Sequence, residues 1–239
     1  RGQHDCAGAE NMRHLIVFVK APEPGRVKTR LQGGYTPEQV AAIYRAFIAD
    51  ALGHGAEVAC ERRTVCFAPV DAVAEAEVRA LAGLEWDVHP QTEGDLGDRM
   101  AGAFAWSFAQ GATRAVLIGS DSPSLPPCLM AEAFERLLGC DLVIGPSVDG
   151  GYYLIGMSRP LPGVFRGVAW SSAQVLRQTL DRAEGEGARL SLLPPWYDVD
   201  TPEELYFLLT HVRGERMAEG TVDAPETVKA MEKIVLSNE

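Results

Sequence analysis

Short apolar runs rich in β-branched residues alternate with helix-patterned segments along this 239-residue chain, and that alternation restricts its fold more than any other feature. Residues 14–20 (HLIVFVK), 63–69 (RTVCFAP), 84–90 (LEWDVHP), 114–121 (RAVLIGSD), 141–146 (DLVIGP) and 149–157 (DGGYYLIGM) read as strands, with another near 189–193. Each is shorter than a typical helix and carries side chains that suit a pleated surface. A helix is expected after Thr36, which is a good N-cap, with Pro37 in the first turn and Gln39 completing a capping box. Val40, Ile43, Tyr44, Phe47, Ile48, Ala51 and Leu52 recur at helical spacing, and Gly53 and Gly55 are expected to stop it. Further helices are expected over 71–82, within 94–111, over 127–138, near 171–186, after Pro202 and near 225–236. Strands and helices at this spacing imply βαβ crossovers and a mostly parallel sheet covered on both faces. No linker or repeat interrupts the pattern, so residues 14–239 read as one domain. Residues 1–13 hold charges, Gly and His without an apolar stretch, and read as a leader or tag-like disordered segment.

Composition excludes several functions. No apolar run approaches the roughly 20 residues that span a bilayer. A net charge of −11 disfavours a nucleic-acid partner, because phosphate backbones are held by basic surfaces. Five cysteines include no C-x-x-C pair, which fits reduced thiols and a cytoplasmic location. The histidines have no ligand-like spacing, so zinc and Cys–His nucleophile readings lack support. Aromatic side chains at Trp196, Tyr197, Tyr206 and Phe207 leave room for a homodimer.

In open α/β sheets, ligands sit beyond the carboxyl ends of the strands, and the unusual residues of this chain fall there. After the first strand comes KAPEPGRVKTRL (20–31), where Lys20, Arg26, Lys28 and Arg30 crowd a Pro/Gly turn of an acidic protein. Such a turn can present cations and backbone N–H groups to an anion. The alternative is a solvated surface run beside acidic neighbours. Neither a Walker A loop nor a dinucleotide fingerprint is present. Asp121, after the strand at 114–121, suits a hard divalent cation but equally suits a turn or cap. Asp149 with Gly150 and Gly151 is either a hairpin turn or a close approach to ligand. Asp198 and Asp200 precede a helix whose better cap is Thr201, and Asp95 and Arg99 lie at another helix start.

Taken in order, KAPEPGRVKTRL, TEGDLGDRM, VLIGSDSPSL, GPSVDGGYYLIG, VAWSS and DVDTPEEL resemble the bacterial nucleotide-diphospho-sugar transferase family, over roughly residues 14–210. Members are described as GT-A-like glycosyltransferases, some of them radical-SAM- or selenodomain-associated or linked to arsenosugar biosynthesis. The family is similar in fold to 2-phospholactate and molybdenum-cofactor guanylyltransferases. The resemblance implies a Rossmann-like three-layer α/β/α sandwich with a mostly parallel, mixed sheet of GT-A type. It implies that Lys20, Pro22, Gly25, Arg26, Lys28 and Arg30, with Asp95, Arg99, Ser120, Gly150 and Gly151, bind nucleotide and phosphate. Asp121 corresponds to the GT-A metal acid, without the second Asp of a D-x-D motif, so Asp198 and Asp200 are expected to complete a Mg²⁺ or Mn²⁺ site. Asp121 and Asp149 are the expected catalytic residues. The implied activity is transfer from a nucleoside-diphosphate sugar to a small-molecule acceptor of unassigned identity. Alternatives are a nucleotidyltransferase acting on an NTP and a non-catalytic nucleotide-binding partner protein.

Overall fold

The computed structural model describes residues 11–237. Its centre is a seven-stranded sheet ordered β3-β2-β1-β4-β6-β5-β7. The strands are β1 (Arg13–Lys20), β2 (Arg62–Ala68), β3 (Asp87–Pro90), β4 (Arg114–Gly119), β5 (Leu142–Pro146), β6 (Tyr152–Met157) and β7 (Leu190–Leu192). β6 runs antiparallel to both β4 and β5, and the other pairs are parallel. The exception has a local cause. β5 and β6 are joined by a tight turn in which Gly150 takes φ 92° and Asp149 Oδ1 accepts the Gly151 N–H at 2.8 Å. A connection that short can join only antiparallel strands, so the Asp-Gly pair acts here as a hairpin turn.

Helices α1 (Pro37–Glu57), α2 (Ala72–Ala82), α3 (Leu96–Ala109), α4 (Pro127–Arg136), α5 (Val175–Gly185), α6 (Pro202–Glu219) and α7 (Pro225–Leu236) cover the sheet. The period-two alternation of β1 assigns the two faces. Leu15, Val17 and Val19 share a core with Ile43 and Phe47 of α1, Val78 of α2, Met130 of α4, Leu205 of α6 and Met231 of α7. Ile16 and Phe18 point the other way, into a core with Met100 and Phe104 of α3 and Ala183 of α5. Each fully buried aliphatic or aromatic side chain contributes about 1.5–3 kcal/mol relative to exposure.

Two expectations are corrected. α1 does not stop at Gly53 and Gly55 but continues to Glu57. At Gly55 a Cβ would lie 2.7 Å from Trp86 Cη2, so that glycine clears space for the indole and is not a terminator. The segment expected as a leader lies outside the described residues up to residue 10. Its end belongs to the fold: Arg13 opens β1, and the Met12 carbonyl accepts the N–H groups of Thr113 and Arg114. His14 is also structural. It is fully buried, its ring nitrogens lie 2.8 Å from Ser107 Oγ and 2.8 Å from Thr64 Oγ1, and burial pushes its pKa down to about 4.

Among the described residues, no helix is long and apolar enough to cross a membrane.

Candidate nucleotide-binding cleft

Beyond the carboxyl ends of β1 and β4 lies a cleft of about 640 Å³. Its first wall is the loop after β1. Pro22 and Pro24 exclude a helix there, Gly25 takes φ 79°, and the Arg26 N–H closes a turn on the Glu23 carbonyl at 3.1 Å. Arg26 and Arg30 are largely exposed, at 75% and 72% of the side chain, and pair at the surface with Glu23 at 3.2 Å and Asp200 at 3.6 Å.

Lys28 behaves differently. Its backbone is left-handed, with φ 44° and ψ 42°, a conformation that costs a non-glycine residue roughly 1–2 kcal/mol. Its side chain is only 6% exposed, and the ammonium meets Asp121 Oδ1 at 2.6 Å, Asp200 Oδ1 at 2.6 Å and the Val199 carbonyl at 2.8 Å. An ammonium has three donors, so none remains for a phosphate in this arrangement. Burial alone would lower its pKa, but the two carboxylates outweigh burial and raise it, so Lys28 stays charged.

The second wall follows β4. Asp121 is half-exposed, and neighbouring Ser120 Oγ lies 2.8 Å from the Tyr44 hydroxyl, which also accepts the Lys20 N–H at 3.1 Å. The Asp121 carbonyl accepts the Val199 N–H at 2.8 Å, while the Trp196 carbonyl accepts the Val148 N–H at 3.1 Å. Residues 196–200 are thereby laced to the ends of β4 and β5. This lacing sends Asp200 towards Lys28 and Asp198 between two serines. Ser122 Oγ donates to Asp198 Oδ1 at 2.5 Å and Ser147 Oγ to Oδ2 at 2.9 Å. Burial, with the negative charges of Asp121 and Asp149 nearby, pushes the Asp198 carboxyl up to about 6. Burial also works against an ionised Asp200, yet Lys28 and Arg30 hold it below the usual range.

The cleft collects Lys20, Arg26, Lys28, Arg30, Arg99, Ser120, Asp121 and Asp200. Other expected site residues stand elsewhere. Pro22 and Gly25 shape the loop without lining the cleft. Asp95 accepts the Asp98 N–H at 2.9 Å as the N-cap of α3, so its carboxylate serves the helix. Asp149, Gly150 and Gly151 form the β5–β6 turn, and Asp198 is turned into its serine pair; none of these four lines the cleft. The four cations left to face a ligand are therefore Lys20, Arg26, Arg30 and Arg99. Among the described residues there is no group of three or more His, Cys, Asp or Glu able to hold a metal.

Residue-by-residue reading missed part of the wall. Gln91 donates from Nε2 to the Val19 carbonyl at 3.3 Å and the Cys66 carbonyl at 2.9 Å, tying β1 to β2 at the cleft. Tyr152, Trp170 and Ser171, the last with φ 61°, close the side towards α3. Tyr44 was legible only as a core position of α1. Its hydroxyl, pushed to about 12 by burial and by Asp121, reaches the cleft because β1 and β4 are adjacent.

A mixed α/β sheet of this order brings a cationic loop and acidic strand ends about one cleft, and a solved structure of the same build carries a transferase description. A protein of Desulfovibrio desulfuricans G20 described as a "putative nucleotide-diphospho-sugar transferase" matches at 32% identity, over 95% of this chain and 98% of that one, with a TM-score of 0.83. Residues 51–172 match the family described as "Uncharacterized protein conserved in bacteria (DUF2064)". The chain belongs to that family.

More distant structures share the fold alone. CMP:2-keto-3-deoxy-manno-octonic acid synthetase complexed with CTP is 12% identical over 86% of this chain and 100% of that one, with a TM-score of 0.55. Rv0371c of Mycobacterium tuberculosis H37Rv, in complex with manganese, is 18% identical over 84% and 100%, with a TM-score of 0.52. No curated protein matches the sequence.

Proposed function

We propose that this protein is a glycosyl-transferring enzyme that binds a nucleoside-diphosphate sugar in the cleft beyond β1 and β4. The observation that carries the reading is one cleft lined by Lys20, Arg26, Arg30 and Arg99 together with Asp121 and Asp200. Arg26 and Arg30 present exposed guanidinium forks that suit paired phosphate oxygens. Lys20 and Arg99 add positive charge to the same lining, and Asp121 and Asp200 add its acidic groups. Such preorganised charge favours a transition state in which the leaving diphosphate gains negative charge.

A Mg²⁺ or Mn²⁺ ion fits the donor chemistry. Hard cations take carboxylate oxygens, and Mg²⁺ often needs only one or two carboxylates plus substrate phosphates. Asp121 and Asp200 are both partly exposed on the cleft, and Lys28 engages Oδ1 of each. They would hold the ion, and it would supply charge neutralisation at the leaving diphosphate. Asp149 stands on the hairpin tip outside the cleft lining and takes no part in this site. The cytoplasmic placement rests on cysteines that are free among the described residues, namely Cys60, Cys66, Cys128 and Cys140.

A second reading, nucleotidyl transfer from an NTP, is favoured by the cation density, since Lys20, Arg26, Arg30 and Arg99 suit a triphosphate as well as a diphosphate. One thermal-shift screen separates the two, because a ligand that binds only the folded state raises its apparent stability. Stabilisation by nucleoside-diphosphate sugars in Mn²⁺, with turnover lost in Asp121→Asn, supports glycosyl transfer. Stabilisation by NTPs alone supports nucleotidyl transfer, binding without turnover supports a partner protein, and no stabilisation by any nucleotide refutes the site.

A further inference from the structure

Lys28 lies where a metal ion bridging the two cleft carboxylates would lie. Its Nζ is 2.6 Å from Oδ1 of Asp121 and 2.6 Å from Oδ1 of Asp200. A divalent cation bound by the same two side chains would sit about 2.0–2.6 Å from their oxygens, so the two positive groups cannot share that space. We infer that the Lys28 ammonium is the built-in counter-ion of the Asp121–Asp200 pair and that a divalent cation binds there only by displacing it. The inference rests on the metal-binding part of the proposed function and on no assignment of base, sugar or acceptor.

Three features of the chain support exchange rather than a fixed ion pair. The charges are unequal: at 2.6 Å the ammonium is shared between two carboxylates, and Arg30 at 3.6 Å reaches Asp200 but not Asp121, so Asp121 holds only part of a positive charge and a divalent ion matches it better. Lys28 is held with a left-handed backbone at the start of the 3₁₀ turn Thr29–Gly33, a conformation unfavourable for lysine that its side-chain contacts help to maintain. Lys28 also lines the cleft between Arg26 and Arg30, with Thr29 exposed beside it. A displaced ammonium therefore stays in the cleft and joins the cations already facing the ligand. One residue then has two states: it neutralises the acids when no metal is bound, and it becomes a phosphate contact once the metal has entered.

The test uses the full chain without nucleotide. In the wild-type protein, amine acetylation read by mass spectrometry should find Lys28 protected in chelator. Saturating Mn²⁺ should raise its labelling at least about fivefold, while Lys229 and Lys233 of α7, far along the chain from the site, stay unchanged. In calorimetry, Lys28→Met should bind Mn²⁺ at least about tenfold more tightly than wild type, since it removes the competing cation and keeps the side-chain length. Lys28→Arg, which keeps a cation, should bind no more tightly than wild type.

Lys28 labelling that does not respond to Mn²⁺ overturns the inference. So does a Lys28→Met protein that binds Mn²⁺ no better than wild type, or an absence of binding to both. If Lys28→Met does not fold, the wild-type labelling decides alone. Because no nucleotide is present, failure of the nucleotide screen leaves this result standing, and an unresponsive Lys28 leaves the nucleotide reading standing.

Discussion

Replacing Asp198 by Asn should stabilise the protein at alkaline pH and leave it unchanged in acid. The carboxylate lies between the Ser122 and Ser147 hydroxyls and close to the negative charges of Asp121 and Asp149. Burial is the largest influence, and the carboxyl is pushed up to about 6 from an ordinary 3.8. An acid whose pKa is raised by folding binds its proton more tightly in the folded state. Its contribution is therefore fully present below about pH 4 and is lost as the pH rises through about 6. Complete ionisation would cost about 3 kcal/mol if the whole difference were expressed. Allowing for solvent screening of a partly exposed side chain brings this to about 2 kcal/mol. Asn carries no charge, and its carboxamide can accept from one serine and donate to the other. Urea unfolding in chelator should show Asp198→Asn equal to wild type within about 0.5 kcal/mol at pH 4 and more stable by about 2 kcal/mol at pH 8, with an unchanged m value. A difference that stays flat between these pH values, or a variant less stable at pH 8, refutes the reasoning.

The double variant Arg26→Ala with Arg30→Ala should weaken nucleotide binding by about 30- to 150-fold in calorimetry, from two lost contacts of roughly 1–1.5 kcal/mol each. Because both side chains are largely exposed, its unfolding free energy should stay within about 0.5 kcal/mol of wild type; unchanged affinity would remove the loop from the site. Asp50→Ala should cost about 2–4 kcal/mol by denaturant unfolding. Asp50 in α1 accepts the Glu226 N–H at 2.8 Å, the Thr227 N–H at 2.9 Å and the Thr227 hydroxyl at 2.6 Å, capping an α7 that has no cap of its own. A loss below about 1 kcal/mol would show that α7 docks without it.

The sequence by itself determined the order and type of the elements and several of their ends, because those depend on local chemistry. The capping box of Thr36 with Gln39 and the Thr201 cap hold in the structure, the latter extended to a box by Glu204. The alternation within HLIVFVK separates the two cores of the sheet. The basic loop and Asp121 were legible as neighbours of a common cleft because both follow strands of a sheet covered on two faces. What each side chain does there depends on contacts between residues far apart in the chain. Lys28 and Asp200 are separated by 172 positions, and only the lacing of residues 196–200 to the ends of β4 and β5 places that carboxylate against the ammonium. The same lacing turns Asp198 into its serine pair, while the turn geometry of Asp149 removes it from the cleft. Sequence counted four cations in one loop. Tertiary structure left two of its arginines and Lys20 facing the cleft, added Arg99 from α3, and set Lys28 against the acids, since charge pairing in a partly buried site is decided by which groups folding brings within reach.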